Sequence, residues 1–217
     1  MSRCAMVVAA VVVIAAMPMA AWASPSLLGP TGLLLIPTAE ALGVSQWNVG
    51  ASVLASDSED VTALHANVGV FKGLEVGASR VKPEGTGAET FVNAKLLLPQ
   101  PMPLELSVAV GVIDITDQVD TSPYVVVSHT LGGGLILRHG ALSSPQVHVG
   151  FGSGQLDGLF AGVSAKLGDR LDVMAEYDGS QINLGARLPV ARNVEVTAAA
   201  LDGLNDFGVG VSVGSPW

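Results

Sequence analysis

Six charged and amide side chains between residues 166 and 187 could act together: Lys166, Asp172, Glu176, Asp178, Asn183 and Arg187. They sit in LFAGVSAKLGDRLDVMAEYDGSQINLGARL (159–188), where apolar and polar residues alternate through three short segments separated by turns. Side chains in a strand alternate faces, so the group shares one polar surface. Three chemistries use such a set. Two carboxylates roughly 5 to 9 Å apart can hydrolyse a glycosidic bond by acid–base catalysis. A ring of charges can form a selectivity or sugar-binding constriction. Charges can also fill a narrow interior as an ion-pair network, in which each buried charge needs a partner. Strand alternation spreads these acids out and no apolar pocket marks one of them, so no catalytic residue is assigned and no enzyme is expected. The network reading is favoured, with Glu176 paired to Arg187.

A second set is regular. Apolar-acid-apolar triplets follow short turns at Leu74-Glu75-Val76, Leu104-Glu105-Leu106, Leu171-Asp172-Val173 and Val194-Glu195-Val196. Each acid is the second residue of a strand running the same way, so Glu75, Glu105, Asp172 and Glu195 are expected at one height, as a partial carboxylate ring at one rim. His65, His129, His139 and His148 lack metal-ligand spacing, and the glycine runs do not open a helix as a phosphate cradle does. No metal site and no cofactor is expected.

Strands are expected near 47–55, 61–71, 74–81, 89–98, 104–113, 122–130, 145–152, 158–167, 171–178, 181–189, 194–201 and 206–214. The weak place is 132–146, where Leu135–Arg138 reads as an extra strand, an extension of its neighbour, or part of a long turn; the count is twelve, within a range of ten to fourteen. Short turns alternate with longer acidic connections such as DSED (57–60), KPEGTGAE (82–89) and DITDQVDTS (114–122). That alternation, with an even count, fits an antiparallel up-and-down transmembrane β-barrel.

Residues 1–23 carry Arg3, an apolar run and an Ala-Trp-Ala ending, and are read as a signal peptide cut before Ser24. Residues 24–46 have Gly and Pro punctuation and no period of two, and are read as a non-barrel leader or cap; 47–217 form the barrel. Cys4, the single cysteine, lies in the signal. Nineteen acids against ten lysines and arginines exclude nucleic acid as a partner.

Periodicity alone does not separate a membrane barrel from a soluble periplasmic one that binds a ligand or partner. Strands of eight to ten residues tilted about 40° span roughly 20 to 25 Å, the height of an apolar membrane band. The polar face mixes glycine with Lys95, Lys166, Glu176 and Arg187, and the chain ends on a Gly-alternating strand closed by Trp217. These favour the outer membrane, with lipid and lipopolysaccharide as surroundings. Aromatics are 5% of the chain, thin for interfacial girdles.

GFGSGQLDGLFAG (150–162), Glu176–Gly179 (EYDG) and Ile182–Arg187 (INLGAR), with Gly32-Leu33 and Pro37-Thr38-Ala39, resemble the YjbH family of bacterial outer-membrane proteins linked to exopolysaccharide production. The resemblance covers both ends of the mature chain and implies an outer-membrane barrel, in a compact single-barrel version. It further implies a role in polysaccharide export or envelope organisation, with polysaccharide or export-machinery proteins as partners. It supplies no catalytic residues.

Overall fold

A computed structural model describes residues 23–99, 106–132, 135–137, 140–168 and 170–215. The expected signal peptide, apart from Ala23, and Glu105, His139 and Trp217 therefore lie outside the described residues. Among the described residues thirteen strands occur: β1 (Trp47–Ala55), β2 (Val61–Phe71), β3 (Leu74–Pro83), β4 (Glu89–Leu97), β5 (Leu106–Ile113), β6 (Ser122–Thr130), β7 (Leu135–Leu137), β8 (Gly140–Gly152), β9 (Gly158–Leu167), β10 (Leu171–Tyr177), β11 (Ile182–Ala191), β12 (Val194–Leu201) and β13 (Asp206–Gly214).

Twelve of them close a ring. Each strand pairs antiparallel with the next, β6 pairs directly with β8, and β1 pairs with β13 from Asn48↔Gly214 to Ala55↔Phe207. The three-residue β7 pairs only with the start of β8, Leu135 opposite Leu142. Residues 135–137, a short strand of their own, prolong the β6–β8 hairpin beyond the ring, so the barrel stays at twelve; Arg138 lies outside the described residues. Both the entry to β1 and the exit from β13 lie at the end that carries the tight turns 72–73 and 192–193, where the Ser215 amide bonds the Trp47 carbonyl.

The alternation places the apolar face outside. Phe71, Phe151, Leu159, Ile182, Phe207 and Val209 are each more than half exposed, and Val49, Leu64, Val125, Val163, Leu184 and Val211 continue the band. The inward face carries Asn48, Ser52, Asn67, Glu75, Ser79, Asn93, Lys95, Ser128, His148, Glu176, Asn183, Arg187 and Glu195, all buried. Charged and amide groups turned inward and valines turned outward invert the arrangement of a protein dissolved in water.

The interior is filled by the segment before β1. Residues 24–42 run up from the tight-turn end, fold back on themselves and descend to β1, held by the bridges Pro25↔Thr31 and Gly32↔Pro37 and by Leu27 N–H to Leu34 O, 2.8 Å. Leu34 and Ile36 are fully buried, and Leu27, Leu33 and Ala39 nearly so, packed with Phe91, Tyr124, Val126, Phe160 and Met174 of the wall. The leader expected to cap the barrel is thus a plug inside it. Its physical reason lies in the inward glycines. A Cβ on Gly162 would stand 2.5 Å from Leu33 Cδ1, and one on Gly185 2.5 Å from Leu34 Cδ2. The missing side chains on the wall are the seats of the plug's leucines.

Candidate functional site

A short irregular segment inside a barrel must find partners for every backbone N–H and C=O that no ladder satisfies. The wall supplies them, from charged residues on strands half-way round the ring from one another. On β3, Glu75 accepts from the Thr31 amide (3.0 Å), the Thr31 hydroxyl (2.5 Å) and the Leu42 amide (3.0 Å). Beside it on β4, Lys95, paired in register with Glu75, donates to the carbonyls of Thr31 and, at 3.0 Å, of Glu40. Across the lumen on β10, Glu176 accepts from the successive amides of Leu34 (2.9 Å), Leu35 (2.8 Å) and Ile36 (3.5 Å). Beside it on β11, Arg187 donates to the carbonyls of Pro25 (2.9 Å), Gly32 (3.3 Å) and Leu33 (2.9 Å), and to Thr197 Oγ1. Carboxylates hold plug amides and cations hold plug carbonyls. Such charge-assisted bonds are about twice as strong as neutral ones.

Neutral groups complete the clamp. Asn67 Nδ2 donates to the Gly29 carbonyl at 2.7 Å, Ser52 Oγ donates to the Leu27 carbonyl, and the Ala39 amide donates to Ser128 Oγ at 2.9 Å, itself 2.7 Å from His148 Nδ1. Glycine is needed at 29, where φ is +135° and a Cβ would stand 2.2 Å from Ser79 Oγ.

The expected ion pair between Glu176 and Arg187 is not formed. Glu176 faces Asn183 across β10 and β11, and Asn183 Nδ2 donates to it at 3.2 Å; Arg187 faces Asp172, four residues further down the strand. At about 3.3 Å per residue that offset is some 13 Å. Asp178 belongs to the β10–β11 loop, where its carboxylate accepts from the amides of Ser180 and Gln181 and from Asn183 Nδ2. Partial desolvation raises its pKa, but these hydrogen bonds outweigh that and hold it below the ordinary carboxylate value.

The carboxylates expected to ring one rim have separate tasks. Glu75 and Glu195 are both inside and buried, and Glu195 accepts from Ser24 Oγ at 2.7 Å where the plug enters. Asp172 lies in register between Lys166 and Arg187. With Lys166 it lines a cavity of about 300 Å³ on the tight-turn side of the plug, together with Thr38, Glu40, Gln146, Ser164 and Met174. A smaller cavity of about 160 Å³, lined by Leu28, Pro30, Leu35, Phe91 and Asp178, lies on the long-loop side. The plug separates the two. Among the described residues no group of His, Cys, Asp and Glu could hold a metal ion.

Sequence reading did not single out Asn67, Ser52 or Ser128; it named Thr38 only within the family resemblance and Lys95 only as a residue of the polar face. Small polar residues at inward positions carry no pattern of their own, and their significance comes only with the segment they touch.

No protein-family model and no curated protein matches this chain. Among solved structures, the KdgM porin matches with a TM-score of 0.53 at 9% identity, over 78% of this chain and 99% of that one. The NanC porin matches with 0.49 at 10% identity, over 77% and 98%. The outer membrane protein Omp33 of Acinetobacter baumannii matches with 0.48 at 10% identity, over 80% and 98%. The fold that this chain shares with the first is the closed twelve-stranded antiparallel barrel, laid out up and down.

Proposed function

We propose that this protein is an outer-membrane β-barrel sealed by its own N-terminal segment, serving surface-polysaccharide export or envelope organisation without chemistry of its own. The observation that carries the reading is the double inversion of the barrel. Its outer face is an apolar band suited to lipid, and its inner face spends its charges on the backbone of residues 24–42. A soluble barrel gains nothing from the first arrangement, and an open diffusion pore is incompatible with the second. The residues that carry the family resemblance support the polysaccharide part. Gly32-Leu33 and Pro37-Thr38-Ala39 belong to the plug, while Glu176 and Arg187 are its receptors, so the resemblance tracks the sealed architecture. Acidic long loops would repel an anionic polymer, which favours an anchoring or assembly role over passage through the lumen.

Cell fractionation with heat-modifiable gel mobility tests the membrane half: a mobility shift in the outer-membrane fraction is expected, and a soluble, unshifted protein would overturn it. Deleting the gene and measuring exopolysaccharide tests the other half. Reduced polymer, restored by the wild-type gene, is expected; unchanged polymer would reject the polysaccharide role and leave the barrel standing.

A further inference from the structure

The cavity on the tight-turn side of the plug is larger than plug anchoring requires. It holds about 300 Å³ between the plug and β8 to β11. That is the small end of the range for ligand pockets, roughly 300 to 1,000 Å³. Thr38, a plug residue, is 2% exposed, lines this space, and its hydroxyl has no hydrogen-bond partner. A buried hydroxyl left unpaired is costly, but this one is closed off from the space, whose open polar walls are Glu40, Gln146, Ser164, Lys166 and Asp172.

The lining states the occupant's chemistry. Among the described residues, Lys166 and Arg187 offset Asp172 and Glu40, so these walls carry no net charge and select neither an anion nor a cation. Donors and acceptors alternate around the space: the Lys166 ammonium opposite the Asp172 carboxylate in register, the Gln146 amide 3.3 Å from Glu40 Oε1, and the Ser164 hydroxyl 3.4 Å from His148 Nε2. A hydroxyl both donates and accepts, so a neutral molecule with several of them satisfies such walls without a charge of its own. Leu33 and Met174 give it an apolar patch for a C–H face. We infer that this cavity is a binding site for a small neutral polyol of the size of one sugar ring, reached from the tight-turn side. The site needs only the plugged barrel, so it stands or falls separately from the polysaccharide role of the whole protein.

The test is saturation-transfer NMR on the purified full-length barrel in detergent, with D-glucose and sorbitol as probes and glycine betaine as a neutral zwitterion. Among the described residues no Trp, Tyr or Phe lines the cavity to stack on a ring, so saturable binding of the polyols is expected in the millimolar range. Asp172→Asn, Lys166→Met and Gln146→Leu should each weaken it by about tenfold. Ser180→Ala, in the cavity on the other side of the plug, should leave it unchanged. Heat-modifiable mobility of each variant shows that the barrel is intact, and Gln146→Leu keeps the test valid if a charge variant fails to fold. Absence of saturable polyol binding, binding indifferent to all three substitutions, or tighter binding of glycine betaine would each overturn the assignment.

Discussion

At the scale of single residues, alternation tells which side of the wall a side chain occupies but neither its height nor what faces it. The inward placement of Glu176 and Arg187 was legible in EYDG and INLGAR. Their plug partners were not, because these are backbone groups 140 or more residues away in the chain. Removing the Glu176 carboxylate therefore strands the amides of Leu34 and Leu35 rather than the guanidinium of Arg187. Glu176→Ala should destabilise the folded barrel by about 3 kcal/mol, since each unsatisfied buried donor costs about 1 to 3 kcal/mol. The distinguishing measurement is the same substitution in a chain lacking residues 24–43, by urea unfolding in detergent. There the cost should vanish, whereas a partnership with Arg187 would preserve it. Val173 lies between the inward Asp172 and Met174 and so faces out. Val173→Lys should cost up to about 2 kcal/mol in a bilayer, since a cation facing lipid costs about 2 to 4 kcal/mol at mid-depth and less toward the interface on the tight-turn side. Folding into lipid vesicles with wild-type stability would contradict that orientation.

At the scale of elements, the strands were the legible part because each carries its own period, repeated over eight to ten residues. The plug was not, because its signal is complementarity: inward glycines at 162 and 185 matter only once LLLIP is known to lie against them. The hairpin extension at β7 was left open for a related reason, since three residues are too few to show a period. The long loops show a different local logic. After β5, Asp114 takes a positive φ of 55° and its carboxylate accepts from the amides of Gln118 (2.8 Å), Val119 (2.6 Å) and Asp120 (3.1 Å) and from the Thr116 hydroxyl. Desolvation pushes its pKa up, but these bonds prevail and hold it below its ordinary 3.8. A depressed folded-state pKa contributes stability that is present above the unfolded value and is lost as pH falls through the folded one. The loop 114–121 should stay closed at neutral pH and open only below about pH 4. Amide exchange at Val119 and Asp120 checks this: protection should fall in acid, and Asp114→Asn should weaken it at neutral pH. Protection that is flat with pH and unaffected by the substitution would show that the carboxylate does not organise the loop.

At the scale of the whole molecule, closure and sealing are separate properties with separate causes. Closure comes from twelve backbone ladders, none of which involves residues 24–46. Sealing comes from that segment's leucines in the glycine seats and from the bonds of Glu75, Lys95, Glu176 and Arg187. A chain lacking residues 24–43 should therefore still form the barrel, with its inward charges hydrated in a water-filled lumen and with lower stability, since the apolar contacts of Leu27, Leu33, Leu34 and Ile36 are lost. In planar bilayers the intact protein should pass little current, and the shortened one should conduct steadily while keeping its heat-modifiable mobility. The charges exposed by the deletion predict the character of that current: Lys95 and Arg187 against Glu75, Glu176 and Glu195 give the lumen a slight preference for cations. Equal conductance with and without the segment would mean that the plug leaves the lumen when the barrel enters a membrane, and the sealed architecture would then not be the functional one.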